Sequence, residues 1–181
     1  MTLTLLQRFK LDDKNHDYTA SETILYALGL GYGSDPTDET QLAFVYEKGL
    51  KAVPAMCNTI AHPGFGIDRP ELEIDWVKVL HAEQAFEIHS TIPAEGRMRG
   101  DYSILSIEDK GADKGAIMKM QKRLYDRDSD LLCATVTQTL FLRGDGGQGG
   151  FGDIGPGLTA IPDGDPDDVL DIPTLPQIAL I

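Results

Sequence analysis

Met118-Lys119-Met120-Gln121-Lys122-Arg123 sets Met118 and Met120 in alternation with Lys119, Gln121 and Arg123, the period of two that a half-buried β-strand requires. The chain turns at Arg127-Asp128-Ser129-Asp130 and enters a second such run. There Leu132, Ala134 and Val136 fall on one face and Cys133, Thr135 and Thr137 on the other, with β-branched residues frequent. Upstream, Tyr102-Ser103-Ile104-Leu105-Ser106-Ile107 leads through the turn Asp109-Lys110-Gly111 into the first run. Further strands are expected over 76–81 and 85–89, before a break at Pro93. Successive strands joined by short turns imply antiparallel pairing.

Ahead of these strands the signals are helical. Thr19-Ala20-Ser21-Glu22 has the form of a capping box, Ile24, Leu25 and Leu28 recur at helical spacing, and the glycines of 29–33 end the element. Asp35-Pro36-Thr37-Asp38 reads as a turn, Leu42-Ala43-Phe44-Val45-Tyr46 as a brief strand, and 54–61 as one or two helical turns. After Leu142 the composition shifts to glycine and then to an acidic, proline-containing stretch. Three parts are expected: a domain over 1–145, a linker over 146–171, and an apolar segment over 172–181 that looks like the lead-in to something else.

Across 181 residues, 29 acidic against 16 basic residues give a net charge of -13, which disfavours nucleic acid or any other polyanion as partner. An anionic small molecule remains open to local lysines or backbone amides. Cys57 and Cys133 lie far apart with no CxxC and no Cys/His array, so neither a disulfide framework nor a metal site is indicated. The amino end reaches Arg8 too soon for a signal peptide, and no apolar run is long enough to cross a bilayer. A soluble, cytoplasmic protein is expected. The final Ala179-Leu180-Ile181 is no peroxisomal address, so that location would need a signal further downstream.

Several blocks together resemble the MaoC-like hydratases, in particular the amino half of hydratase 2. They are Tyr18-Thr19 with 24–31, Phe44-Val45-Tyr46-Glu47 with Pro54, Trp76-Val77-Lys78-Val79-Leu80-His81-Ala82-Glu83-Gln84, Asp109-Lys110-Gly111, and Gln138-Thr139 through 143–147. Where the family usually reads HGEQ, this chain has Ala82 in place of the glycine. The resemblance implies an α+β hot-dog fold: an antiparallel sheet wrapped around a central helix, here short or reduced, as the non-catalytic half of a double hot-dog. It also implies hydration of trans-2-enoyl-CoA to (R)-3-hydroxyacyl-CoA by an Asp and a His of a G-D-x-N-P-x-H motif in the other half. Gly144-Asp145-Gly146 and Gly164-Asp165-Pro166 lack the Asn and His, so no catalytic residue is expected in this chain, and the motif would follow soon after Ile181.

From the same resemblance, His81, Ala82 and Lys110 are the expected CoA contacts. Each has a plainer reading: His81 as a strand histidine, Ala82 as a backbone contact only, and Lys110 as a solvated turn lysine weakened by Glu108 and Asp109. Met118 and Met120 read as core, and the formal GxGxxG of 147–152 as linker. No cofactor is implied. The expected partners are an acyl-CoA thioester and a second hot-dog half or subunit, in a hetero- or homo-oligomer without membrane. A non-catalytic acyl-CoA-binding or scaffold protein is the alternative, ahead of a thioesterase, which would need a carboxylate within 54–61.

Overall fold

The computed structural model describes residues 1–9, 13–155, 160–172 and 174. Five strands form one antiparallel sheet in the order β1-β3-β4-β5-β2: β1 Lys14–Tyr18, β2 Val79–Ile88, β3 Gly96–Asp109, β4 Ala116–Asp126 and β5 Leu132–Leu142. Alternation fixes the faces of β4. Ala116, Met118, Met120, Lys122 and Leu124 are buried, while Ile117, Lys119, Gln121 and Arg123 are not. The strands expected over 76–81 and 85–89 are a single strand, and it starts late. Trp76–Lys78 is a 3-10 turn, fastened by Lys78 Nζ to Asp75 Oδ2 at 2.7 Å, and β2 begins at Val79.

The capping box closes as expected. Glu22 N donates to Thr19 Oγ1 at 3.4 Å and Thr19 N to Glu22 Oε2 at 2.8 Å, and the helix α2 Ala20–Gly29 follows. Of the run Leu42–Tyr46, expected as a strand, Leu42 to Val45 belong instead to helix α3, Glu39–Val45, and only the capping Tyr46 is extended. The deciding group lies just upstream, where Thr40 N donates to Asp38 Oδ1 at 2.9 Å and caps the first turn. The expected helical turns near Pro54 are one 3-10 turn, Pro54–Asn58, laid against the inner face of the sheet. A further short helix, α1 Leu3–Arg8, covers the other end of that face.

The core accordingly falls into two clusters. Leu6, Ile67 and Leu72 pack with Ile107, Met118 and Leu142 at one end, and Met56, Cys57 and Ile60 with Met98, Leu124 and Val136 at the other. The glycine-rich stretch after β5 lies along β3, where Phe151 and Ile107 exchange backbone hydrogen bonds of 3.0 and 2.9 Å. A Cβ on Gly150 or Gly152 would collide with the carbonyls of Ile107 and Leu105, so only glycine permits that approach. Residues 160–172 are exposed, and most of the segment expected as a lead-in, 173 and 175–181, lies outside the described residues. Among the described residues no helix is long and apolar enough to cross a membrane.

Candidate ligand-binding site

The edge strand β2 carries a bulge at Ala82: His81 faces Leu140 and Glu83 faces Thr139, leaving Ala82 without a cross-strand partner. In a regular strand, residues three apart point to opposite faces. The extra residue turns both His81 and Gln84 toward a cavity of about 300 Å³ between β2, β4, β5 and the segment after the Pro54–Asn58 turn. Tyr102, Met120 and Val136 give this cavity an apolar floor, and Asn58, His62, His81, Gln84, Gln138 and Lys122 add polar groups.

Those groups are linked. His81 Nε2 and Gln84 Oε1 lie 2.9 Å apart, and Gln84 Nε2 donates to Asn58 Oδ1 at 3.2 Å. Lys122, 4% exposed, donates from Nζ to the carbonyls of Cys57, Asn58 and Ile60 at 2.7, 3.0 and 2.7 Å. Burial pushes its pKa down to about 8, so the ammonium persists at neutral pH. His62, exposed at the cavity mouth, accepts from Gly64 N at Nδ1 over 3.1 Å, and partial desolvation of its ring, with the Lys122 charge behind it, lowers its pKa. Among the described residues no carboxylate lines this cavity.

Of the three residues expected to meet CoA, only His81 is here. Ala82 and Lys110 line a separate depression of about 520 Å³ with Glu83, Glu108, Lys119 and Thr139. The Lys110 ammonium is paired with the Glu108 carboxylate. Lys110 also borders a basic concavity formed with Lys114, Arg143 and Phe141. The GxGxxG-like loop spends its amides internally, since Gly147 N and Gly149 N donate to the Asp109 carboxylate at 2.7 and 2.6 Å and so lower its pKa.

Asn58, Gln84 and Lys122 were not expected from the sequence. Gln84 stood inside the quoted HAEQ block, and Lys122 falls in phase with Met118 and Met120. A charged residue at an inward position is itself a signal, because such a group is buried only when it is paired.

Residues 16–144 match the family described as MFE-2 hydratase 2 N-terminal domain. The chain belongs to this family. It is 33% identical over 169 residues to 3-hydroxyacyl-thioester dehydratase Y of Mycobacterium tuberculosis, covering 91% of this chain and 56% of that protein. It is 33% identical over 151 residues to the peroxisomal enoyl-CoA hydratase 2 of Arabidopsis thaliana, covering 79% and 48%. The crystal structure of a MaoC-like dehydratase from Phytophthora capsici superposes with a TM-score of 0.71 at 24% identity, over 92% of this chain and 58% of that one. The sheet with its short central turn is thus a hot-dog fold. This hydratase 2 N-terminal domain spans about half the length of the curated relatives it matches. Its family match takes in the whole sheet apart from the first residues of β1, together with the bulge and the inner cavity, while α1 and the glycines after Gly144 fall outside it.

Proposed function

We propose that this chain is the substrate-pocket half of an (R)-specific 2-enoyl-CoA hydratase, whose Asp/His pair comes from a carboxyl-terminal half or a partner subunit. The observation that carries this reading is the bulge at Ala82, which separates an apolar-floored inner cavity at His81 from a lysine-bordered depression at Lys110. An acyl-CoA thioester has the same polarity, an apolar acyl end and a phosphorylated end joined by an amide-bearing arm. On this reading the acyl group enters the inner cavity beside Met120 and Val136. The arm crosses β2 at Ala82, where among the described residues no strand pairs with its outer edge, and the phosphates meet Lys110. Two relatives named for enoyl-CoA hydration and hydroxyacyl-thioester dehydration support the chemistry.

In this reaction the oxygen of water bonds to C3 of the enoyl group while a proton is delivered to C2. The cavity offers two imidazoles and amide side chains that can orient a thioester but, among the described residues, no carboxylate to complete an Asp/His pair, so that pair is assigned to the other half. Exposed Leu80, Phe86 and Ile88 along the unpaired edge strand support a second hot-dog half seated there. The buried thiols of Cys57 and Cys133 support a reducing compartment such as the cytoplasm.

The lining without a carboxylate also favours a second reading, a non-catalytic acyl-CoA-binding protein. One experiment separates the two. The purified chain is mixed with a hot-dog half carrying G-D-x-N-P-x-H, and crotonyl-CoA hydration is followed together with the native mass spectrum. The hydratase reading expects a hetero-complex that is active where neither component is. Crotonyl-CoA binding by a homo-oligomer that gains no activity from any such half supports the binding protein and sinks the hydratase.

A further inference from the structure

The three carbonyls that Lys122 holds close the 3-10 turn and the residues just after it. Among the described residues no backbone amide reaches the carbonyl oxygens of Cys57, Asn58 or Ile60. A longer helix would satisfy such groups with the amides of its next turn. Here an ammonium with three protons and no acceptor capacity satisfies all three from one point on β4, at charge-assisted distances. The bond to Asn58 is the consequential one, because that residue's side chain takes part in the cavity. With its backbone fixed, Asn58 Oδ1 receives Gln84 Nε2, which turns Gln84 Oε1 toward His81. A carbonyl oxygen only accepts, so with the Gln84 amide turned this way His81 Nε2 is the donor, and in the neutral imidazole Nδ1 is left as an acceptor.

We propose that Lys122 is a positioning residue of the ligand cavity: it pins the shortened central turn and, through Asn58 and Gln84, holds the His81 imidazole in one orientation with Nδ1 open to a ligand N–H. The groups on an acyl thioester that fit are the amide N–H donors of its pantetheine arm. This rests on the reading that the inner cavity takes such a thioester. Lys122 touches no reacting atom in it, since its three protons are already engaged.

The test uses the full chain labelled with ¹⁵N-histidine, as wild type and as Lys122→Met, Lys122→Gln and Gln84→Leu. The wild type is expected to show neutral His81 as a single Nε2–H tautomer with its ring proton protected from exchange. That protected proton is expected to disappear in Gln84→Leu and Lys122→Met and to return in part in Lys122→Gln, which restores two of the donors. Affinity for crotonyl-CoA should weaken about tenfold in the first two, the size of one lost hydrogen bond in a site, and in the active complex the change should fall on KM with kcat held. Because Gln84 is exposed, its variant leaves the fold intact, and circular dichroism checks that for each protein. A wild-type ring protonated at Nδ1 overturns the proposal, as does a Lys122→Met protein that loses stability while keeping the His81 ring proton and the affinity. A wild type with the predicted ring proton that binds no crotonyl-CoA, alone or with a catalytic half, refutes the functional reading and leaves the positioning network standing.

Discussion

At one end of the sheet, α1 and the Pro70–Leu72 turn bury the inner face with Leu6, Ile67 and Leu72 set on Ile107, Met118 and Leu142. At the other end, the segment 54–61 is attached by apolar contacts and by polar side chains that reach it from the sheet. Lys122 holds three of its carbonyls, the Tyr102 hydroxyl donates to the Ala61 carbonyl, and Ala61 N donates to His16 Nδ1 at 2.9 Å. The difference explains where the cavity is. Apolar contact holds two elements together only by closing the space between them, because dispersion fades within an ångström of separation. Directional bonds from long side chains hold a segment in place while space remains beside it, and the cavity opens on the polar end, bordered by Lys122 and Tyr102.

The largest effect that tests this contrast is at the apolar end. Met118 is fully buried, and Met118→Ala should cost about 3 kcal/mol through lost burial and the void left behind, with crotonyl-CoA affinity unchanged. Urea denaturation and a ligand titration on the same protein check both halves of that statement. A loss of affinity equal to the loss of stability would mean that the two ends are one cooperative unit and that the contrast has no functional content.

Lys122→Met should cost somewhat less, about 2 kcal/mol. Three carbonyls lose their donor at roughly 1 kcal/mol each, and relief of the buried charge offsets part of that. Here stability and affinity should fall together, the reverse of Met118→Ala. Tyr102→Phe comes next at about 1 kcal/mol, since one neutral donor to Ala61 is lost from a ring that otherwise stays packed. Thermal melts of the two single variants and the double variant give their coupling, which should be non-zero because both side chains hold the same short segment.

The same contrast governs what the sequence reveals. Where burial is apolar the residue pattern reports it directly. Met118 and Met120 place β4 and the Thr19 capping box places the start of α2, while the run 132–137 places β5 but not its faces, because a register irregularity opposite Leu124 and Tyr125 buries Cys133 beside Ala134 and leaves Leu132 only partly covered. Where short-range polar contacts decide, the pattern misleads. Leu42–Tyr46 has strand-like residues, yet the Asp38 cap makes all but Tyr46 helix, and Trp76–Lys78 joins a turn because Lys78 reaches Asp75. The site divides along the same line. His81 is recognisable from its block, but its partner Gln84 faces the same cavity only because of a bulge at Ala82, and a bulge is a matter of cross-strand register that no single strand encodes.

The smallest effect is also the sharpest probe of the polar end. Burial holds the Lys122 pKa at about 8 against an ordinary 10.5. Between those values the unfolded chain keeps the proton and the folded chain has released it, so unfolding takes up a proton and stability should rise as pH is raised through the window. The slope is bounded at about 1.4 kcal/mol per pH unit and should be well below that near the lower edge. Cys57 and Cys133 work the other way, because burial raises both thiols and the unfolded chain ionises first. The readable quantity is therefore the difference in urea midpoint between wild type and Lys122→Met, in which the Cys133 contribution cancels, while loss of the Lys122 charge, which lowers the Cys57 thiol, moves the difference in the same direction. That difference should shift in favour of wild type from about pH 8 to about pH 10. A flat difference would mean that the three carbonyls stabilise the ammonium as well as water does. The polar end would then carry no burial penalty, and the cavity beside Lys122 would come to this fold without loss of stability.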